Sequence, residues 1–149
     1  PIGPGGLSPE QKSRFGPFLD SYLIALNNYA AVAARLEKDI EEARVAADRA
    51  ILIQPNVPEF YDTRAMIKLV AGRGGAALED ALRAVEMNPE NLKFNFTLAR
   101  ARVETGELDS AMDILKEIEA TNGLDPEPDP DLQSDVLELK TQIQRRIAG

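Results

Sequence analysis

The sequence predicts an all-α chain built as an array of helical repeats. Three observations point there. Pro55 and Pro89 lie 34 residues apart. The residues before them recur at matching intervals: Ala43, Ala47, Ala50 and Pro55, then Ala77, Ala81, Ala84 and Pro89. From Phe18 to Lys38, apolar residues return every three or four positions, as on one helix face. A fixed period of this length marks helix pairs, each exposing an apolar face that only a neighbour can cover. Such arrays are usually scaffolds with a concave face, not catalysts.

The elements follow in order. Ser8-Pro9-Glu10-Gln11 reads as a helix start, with Ser8 capping and Gln11 completing a capping box. Phe15-Gly16-Pro17 then reads as an interruption, with Pro17 opening the next helix. Phe18, Tyr22, Leu26, Tyr29, Ala33 and Leu36 form one stripe along it. Further helices are expected over Ile40–Gln54, Glu59–Ala71, Ala76–Met87, Leu92–Glu104 and Leu108–Thr121. The breaks fall at Pro55-Asn56, at Gly72-Arg73-Gly74-Gly75, at Asn88-Pro89, at Thr105-Gly106 and at Asn122-Gly123. The prolines of Asp125–Asp131 predict an extended spacer. A last helix over Leu132–Ile147 carries one apolar edge of Leu132, Val136, Leu139, Ile143 and Ile147.

Composition excludes several functions. The 149 residues carry a net charge of −8 and contain neither cysteine nor histidine. No basic patch appears, which argues against nucleic acid and anionic membranes as partners. Disulfides, thiolate metal sites and the usual general base are absent. No apolar run reaches membrane-spanning length, so no membrane insertion is expected. The chain starts at Pro1, and residues 1–7 read as a linker or cloning scar. We expect an excised, soluble, acidic domain of a longer protein, cytoplasmic or periplasmic and of bacterial composition.

Two catalytic or ligand motifs are discounted. Gly72-Arg73-Gly74-Gly75-Ala76-Ala77 matches a dinucleotide fingerprint in spelling, but a helix, not a strand, is expected before it. Asp125, Glu127 and Asp129 have calcium-loop spacing, but Pro130 and Val136 stand where glycine and a carboxylate are needed. The chain is expected to be no enzyme and to use no cofactor or metal.

The repeat pattern resembles the tetratricopeptide repeat family. Three units fit, at 24–57, 58–91 and 92–125, after a helical lead-in at 8–23. The spacer at 126–131 and a capping helix at 132–149 follow. The small residue of the eighth position is Ala31, Ala65 and Ala99. The turn glycine is Gly72 and Gly106, with Lys38 in the first unit. The alanine of the twentieth position is Ala43, Ala77 and Ala111. There are departures. Asn27 and Asn95 replace the large residue that Tyr61 supplies at the fourth position, Arg64 replaces a leucine, and Lys68 and Arg102 replace aromatics. In the third unit Ile118 replaces alanine and Gly123 replaces proline. The resemblance implies a right-handed α-α superhelix (solenoid) of three helix-turn-helix repeats with a C-terminal capping helix.

The resemblance also implies a concave groove for a protein or peptide segment. Carried over by position, its residues are Asn28, Val32, Arg35, Asp62, Met66, Leu69, Lys93, Phe96, Arg100 and Val103. Met66, Leu69, Phe96 and Val103 are expected as an apolar floor, and Arg35, Lys93 and Arg100 as contacts for ligand carboxylates. One subgroup of the family clamps acidic chaperone tails with five polar residues. The matching positions here are Asn28, Val32, Thr63, Lys93 and Thr97, of which only Lys93 agrees, so no such clamp is expected. The alternatives are a homo-oligomerisation module and a regulatory or docking domain of a larger protein or enzyme.

Overall fold

Ser8 opens the first helix through the expected capping box. Its Oγ accepts the Gln11 N–H at 3.2 Å, and Gln11 Oε1 accepts the Ser8 N–H at 2.8 Å. The computed structural model describes residues 7–149, and the linker or cloning-scar reading of Pro1–Gly6 lies outside the described residues. Leu7, expected as the last linker residue, is half-buried against Leu23, Ala50, Ile53 and Phe60. Among the described residues there are seven helices: α1 (Pro9–Leu36), α2 (Ile40–Ile53), α3 (Pro58–Val70), α4 (Gly74–Met87), α5 (Leu92–Glu104), α6 (Leu108–Leu124) and α7 (Pro130–Ala148). None of them is long and apolar enough to cross a membrane.

The break expected at Phe15-Gly16-Pro17 is absent. α1 runs through it for 28 residues and joins the lead-in to the first repeat. Pro17 lacks an N–H, so the Ser13 carbonyl has no helical donor. Both residues are exposed, and water can replace that donor. The expected apolar stripe also divides. Leu19, Leu23, Leu26, Ala30 and Ala33 turn inward, because α2 and α3 pack on that side alone. Phe18, Tyr22, Tyr29 and Leu36 stay exposed.

The helices pair as α1 with α2, α3 with α4, and α5 with α6, and each pair stacks on the next. The first helices also touch in series, α1 on α3, α3 on α5, and α5 on α7. The second helices α2, α4 and α6 do not touch one another. Close packing on one side and splaying on the other curve the stack. The chain is therefore an all-α solenoid whose concave side is built by α1, α3, α5 and α7.

Small side chains make this stacking possible. Ala43, Ala77 and Ala111 have no exposed surface, and neither do Ala65 and Ala99 on the facing helices. Gly72 and Gly106 turn the second and third units with φ of +72° and +84°, where a side chain is disfavoured. The first unit has no glycine there. Its turn places Glu37 and Asp39 at φ of 53° and 52° instead. Each left-handed residue costs about 1 kcal/mol.

Several departures from the family pattern acquire a physical reason. Tyr61 Oη donates to the Pro55 carbonyl at 2.9 Å, and Asn95 Nδ2 donates to the Pro89 carbonyl at 2.8 Å. The asparagine thus performs one repeat later the same tie that the tyrosine performs. Arg64 and Lys68 are not misplaced surface charges. Both reach Asp80 on α4, which is only 5% exposed. Their polar network replaces the apolar packing expected at those positions.

The C-terminal boundaries shift. α6 runs on through Gly123 to Leu124, past its expected end at Thr121, and α7 starts at Pro130. Buried Asn122 explains the extension. Its Nδ2 donates to the Asp129 carbonyl at 3.1 Å, and its Oδ1 accepts the Asp129 N–H at 3.0 Å. Holding that pair offsets the ~1 kcal/mol cost of glycine in a helix. Leu132, Val136, Leu139 and Ile143 of α7 close over Val103, Leu115 and Ile118. Each fully buried side chain of this kind contributes about 1.5–3 kcal/mol. Ile147, expected on the same edge, is exposed.

Candidate functional site

The concave side encloses a cleft of about 500 Å³ between α1, α3, α5 and α7. Of the residues expected in the groove, Arg35, Asp62, Met66, Lys93, Phe96 and Arg100 line it together. Arg35 comes from the end of α1. Asp62 and Met66 lie one helical turn apart on α3. Lys93, Phe96 and Arg100 follow the same spacing on α5. Met66 and Phe96, both half-buried, contribute to the apolar surface of the cleft together with Ala34, Val70 and Leu132.

Four expected residues lie elsewhere. Asn28 and Val32 are exposed on α1 outside the cleft. Leu69 packs half-buried against Ala65, Ala77 and Leu98. Val103 is a correction: it is 2% exposed and belongs to the core under α7. The capping helix occupies that end of the concave side, where Arg146 Nη1 donates to the Val103 carbonyl at 3.1 Å.

The sequence reasoning missed the contribution of α7 and of the α1 turn. Asp129, Asp131, Leu132 and Asp135 form one wall of the cleft, and Glu37 stands at another edge. A signal for this was present. Pro130 opens α7 at its first helical position just as Pro58 opens α3. Treated as a further first helix, α7 must turn a face to the groove.

These residues change its electrostatics. Lys93 Nζ is already paired with Asp129 Oδ2 at 3.2 Å. Asp129 also caps α7, accepting the N–H groups of Asp131 and Leu132 at 3.0 and 3.1 Å. The Leu132 N–H foremost, with Lys93, holds its carboxyl below the usual range. Asp62 is in the opposite condition. It is 8% exposed, and its Oδ1 has no hydrogen-bond partner. Burial pushes its pKa up from 3.8 to about 6, Thr97 and Arg100 offset part of that rise, and Glu59 adds to it. The Thr97 hydroxyl itself donates to the Lys93 carbonyl at 3.2 Å. The expected carboxylate-binding groove is therefore lined by more carboxylates than cations.

No cluster of His, Cys, Asp or Glu suited to a metal ion occurs among the described residues. Of the residues spelled like a dinucleotide fingerprint, Gly72 and Arg73 lie in the turn between α3 and α4, and Gly74–Ala77 form the start of α4 after a helix, not a strand.

Comparison with known proteins bears on the fold. The family model described as tetratricopeptide repeat matches residues 69–143. The type III secretion translocator chaperone SycD of Yersinia enterocolitica superposes with a TM-score of 0.73 at 17% identity, over 99% of this chain and 100% of that one. The Sgt2 TPR domain of Aspergillus fumigatus gives 0.67 at 19% identity, over 100% and 88%. The second TPR domain of human RPAP3, solved in complex with the HSP70 peptide SGPTIEEVD, gives 0.67 at 16% identity, over 85% and 98%. The match across half of the sequence agrees with the stacked helix pairs, turn glycines and buried alanines described above, and this chain belongs to the tetratricopeptide repeat family.

Proposed function

We propose that this chain is a non-catalytic protein-interaction scaffold that holds a protein or peptide segment in the concave groove between α1, α3, α5 and α7. The cleft beside Met66 and Phe96 is the observation that supports this. Half-buried apolar side chains ringed by charged ones suit an extended segment with an apolar anchor. Neighbours of similar fold are solved with peptides: the first TPR of Spaghetti (RPAP3) is bound to the HSP90 peptide SRMEEVD. The test is NMR mapping of a peptide selected on the intact chain from a random library. Shifts concentrated at Met66, Phe96 and Arg100 support the reading. Shifts confined to the outer helices α2, α4 and α6 remove it.

A second reading, self-association, is favoured by one specific feature. Phe18, Tyr22, Ala25, Tyr29, Val32 and Leu36 follow alternating intervals of four and three along one side of α1, and all are exposed. Phe18 is 79% exposed. That spacing is a coiled-coil seam, and a second copy would cover it. Light scattering on the eluting protein tests this. A monomer throughout the micromolar range rules it out, and a dimer that Phe18→Glu dissociates supports it.

A further inference from the structure

We propose that the groove selects a segment carrying a lysine or arginine, whose cationic end reaches Asp62. This deepens the preceding reading and rests on the groove being the binding site.

Asp62 is the centre of the case. A buried carboxylate without a donor is costly, and native structures seldom keep one without a reason. Here Oδ1 has no partner, although the chain has cations nearby. All but Arg100 are committed to other carboxylates. Arg64 and Lys68, on the same helix, are committed to Asp48 and Asp80. Lys93 is committed to Asp129 across the groove. Arg100 is close enough to lower the Asp62 pKa by its charge, yet makes no ion pair with it among the described residues. The neighbouring Thr97 hydroxyl, whose hydrogen bond holds the Asp62 pKa down in part, also donates to the Lys93 carbonyl and brings no charge. Asp62 thus stands at the wall of an open cleft with no ion pair of its own, its Oδ1 just beneath the surface.

The surroundings favour a cation over a neutral donor. Glu37, Asp131 and Asp135 also face the cleft and have no ion pair among the described residues. With Lys93 and Asp129 neutralising each other, Asp62 and these three outnumber Arg35 and Arg100. The whole molecule, at −8, adds long-range attraction for a basic segment. The route to Asp62 also fits. The methylene stem of a lysine or arginine can lie along Met66 and the Phe96 ring while its head reaches the carboxylate. The pairing with Asp62 would be water-excluded, where a charge-assisted hydrogen bond is strongest.

The test uses the intact chain and a phage-displayed library of random dodecapeptides, selected at pH 7.5. Enriched peptides are synthesised, and their affinities measured by fluorescence anisotropy against the wild type, Asp62→Asn and Met66→Arg, with circular dichroism confirming that each variant folds. The expected result is enrichment of lysine and arginine, with at least tenfold weaker binding to Asp62→Asn. Replacing the peptide's basic residue by glutamine should cost a similar factor on the unaltered protein. Peptides that are acidic or neutral, lose binding to Met66→Arg and bind Asp62→Asn as well as wild type overturn the proposal while leaving the groove in place. Peptides that bind Met66→Arg as tightly as wild type, or no enrichment at all, overturn the groove reading and this proposal together.

Discussion

Arg64 on α3 grips Asp80 on α4 with two donors, Nε to Oδ2 at 2.8 Å and Nη2 to Oδ1 at 2.7 Å. Its third nitrogen reaches Asp48 on α2 at 2.9 Å. One side chain therefore ties three consecutive helices of two repeats. The hydrogen bonds that Arg64 donates to Asp80 chiefly, with the charges of Asp80 and Asp48, raise the Arg64 pKa further. Lys68 Nζ completes the site 2.6 Å from Asp80 Oδ2. Removing the shared anion leaves two cations facing each other in a largely buried place. Asp80→Ala is expected to lower the stability by about 3–5 kcal/mol, read from urea unfolding. A loss below 1 kcal/mol would show that water, not Asp80, satisfies these cations.

Asp62 predicts a trade between stability and binding. Its folded pKa, about 6, lies above the ordinary 3.8. The folded chain thus holds this proton more tightly than the unfolded one. Stability from this group is greatest below about pH 4, falls as pH rises towards 6, and stays reduced above it, by about 3 kcal/mol in full. Arg100 from α5 and Glu59 on its own helix act on Asp62 by charge, and Lys93 from α5, Arg35 and Glu37 from the α1 end, Asp129 at the α7 cap, and Asp131 and Asp135 from α7 share the cleft with it. Asp62→Asn is expected to stabilise the free protein by about 1–2 kcal/mol at pH 8, the amide's own burial taking back the rest. The advantage over wild type should vanish near pH 4. A gain of equal size at both pH values would mean that the charge is not its source.

Gly74 opens α4 against the end of α5. A Cβ there would stand 2.7 Å from Glu104 Cβ and 3.4 Å from the Glu104 backbone carbon. The next glycine, Gly75, has nothing within 4 Å. Gly74→Ala should therefore destabilise by about 1–3 kcal/mol through overpacking. Gly75→Ala should be neutral or stabilise by up to about 1 kcal/mol through helix propensity. Thermal melts of the two variants side by side check the contact, and equal melting temperatures would deny it.

The cleft should refuse an acidic tail. Only Lys93 agrees with the chaperone-tail clamp, and Asp129 already neutralises it. The peptide SGPTIEEVD, found with a similarly folded neighbour, is expected to show no micromolar affinity by fluorescence anisotropy. Micromolar binding would contradict the assignment of the groove's charge.

What the sequence by itself determined is the stack of hairpins. The 34-residue recurrence, the alanines at helix contacts and the two turn glycines are short-range features, and each acts within one unit or on the next. That is why the helix pairs could be read without coordinates, while Arg35, Asp62, Met66, Lys93, Phe96 and Arg100, which line one cleft, were expected only through the resemblance to the family. Pro17 misled because α1 carries it at an exposed position, where water can serve the Ser13 carbonyl in place of the missing N–H. The tertiary structure alone decided the character of the groove. α7 belongs to no complete repeat, and the extension of α6 shifts it out of the period, so Pro130 hinted at a further first helix without fixing the directions of Asp131 and Asp135. Folding α7 across the end of the stack buries Val103, couples Lys93 to Asp129 and turns a groove expected to attract carboxylates into one lined mainly by them. The sign of a binding surface is a sum over segments distant in the chain, and only their packing brings the charges within range of one another.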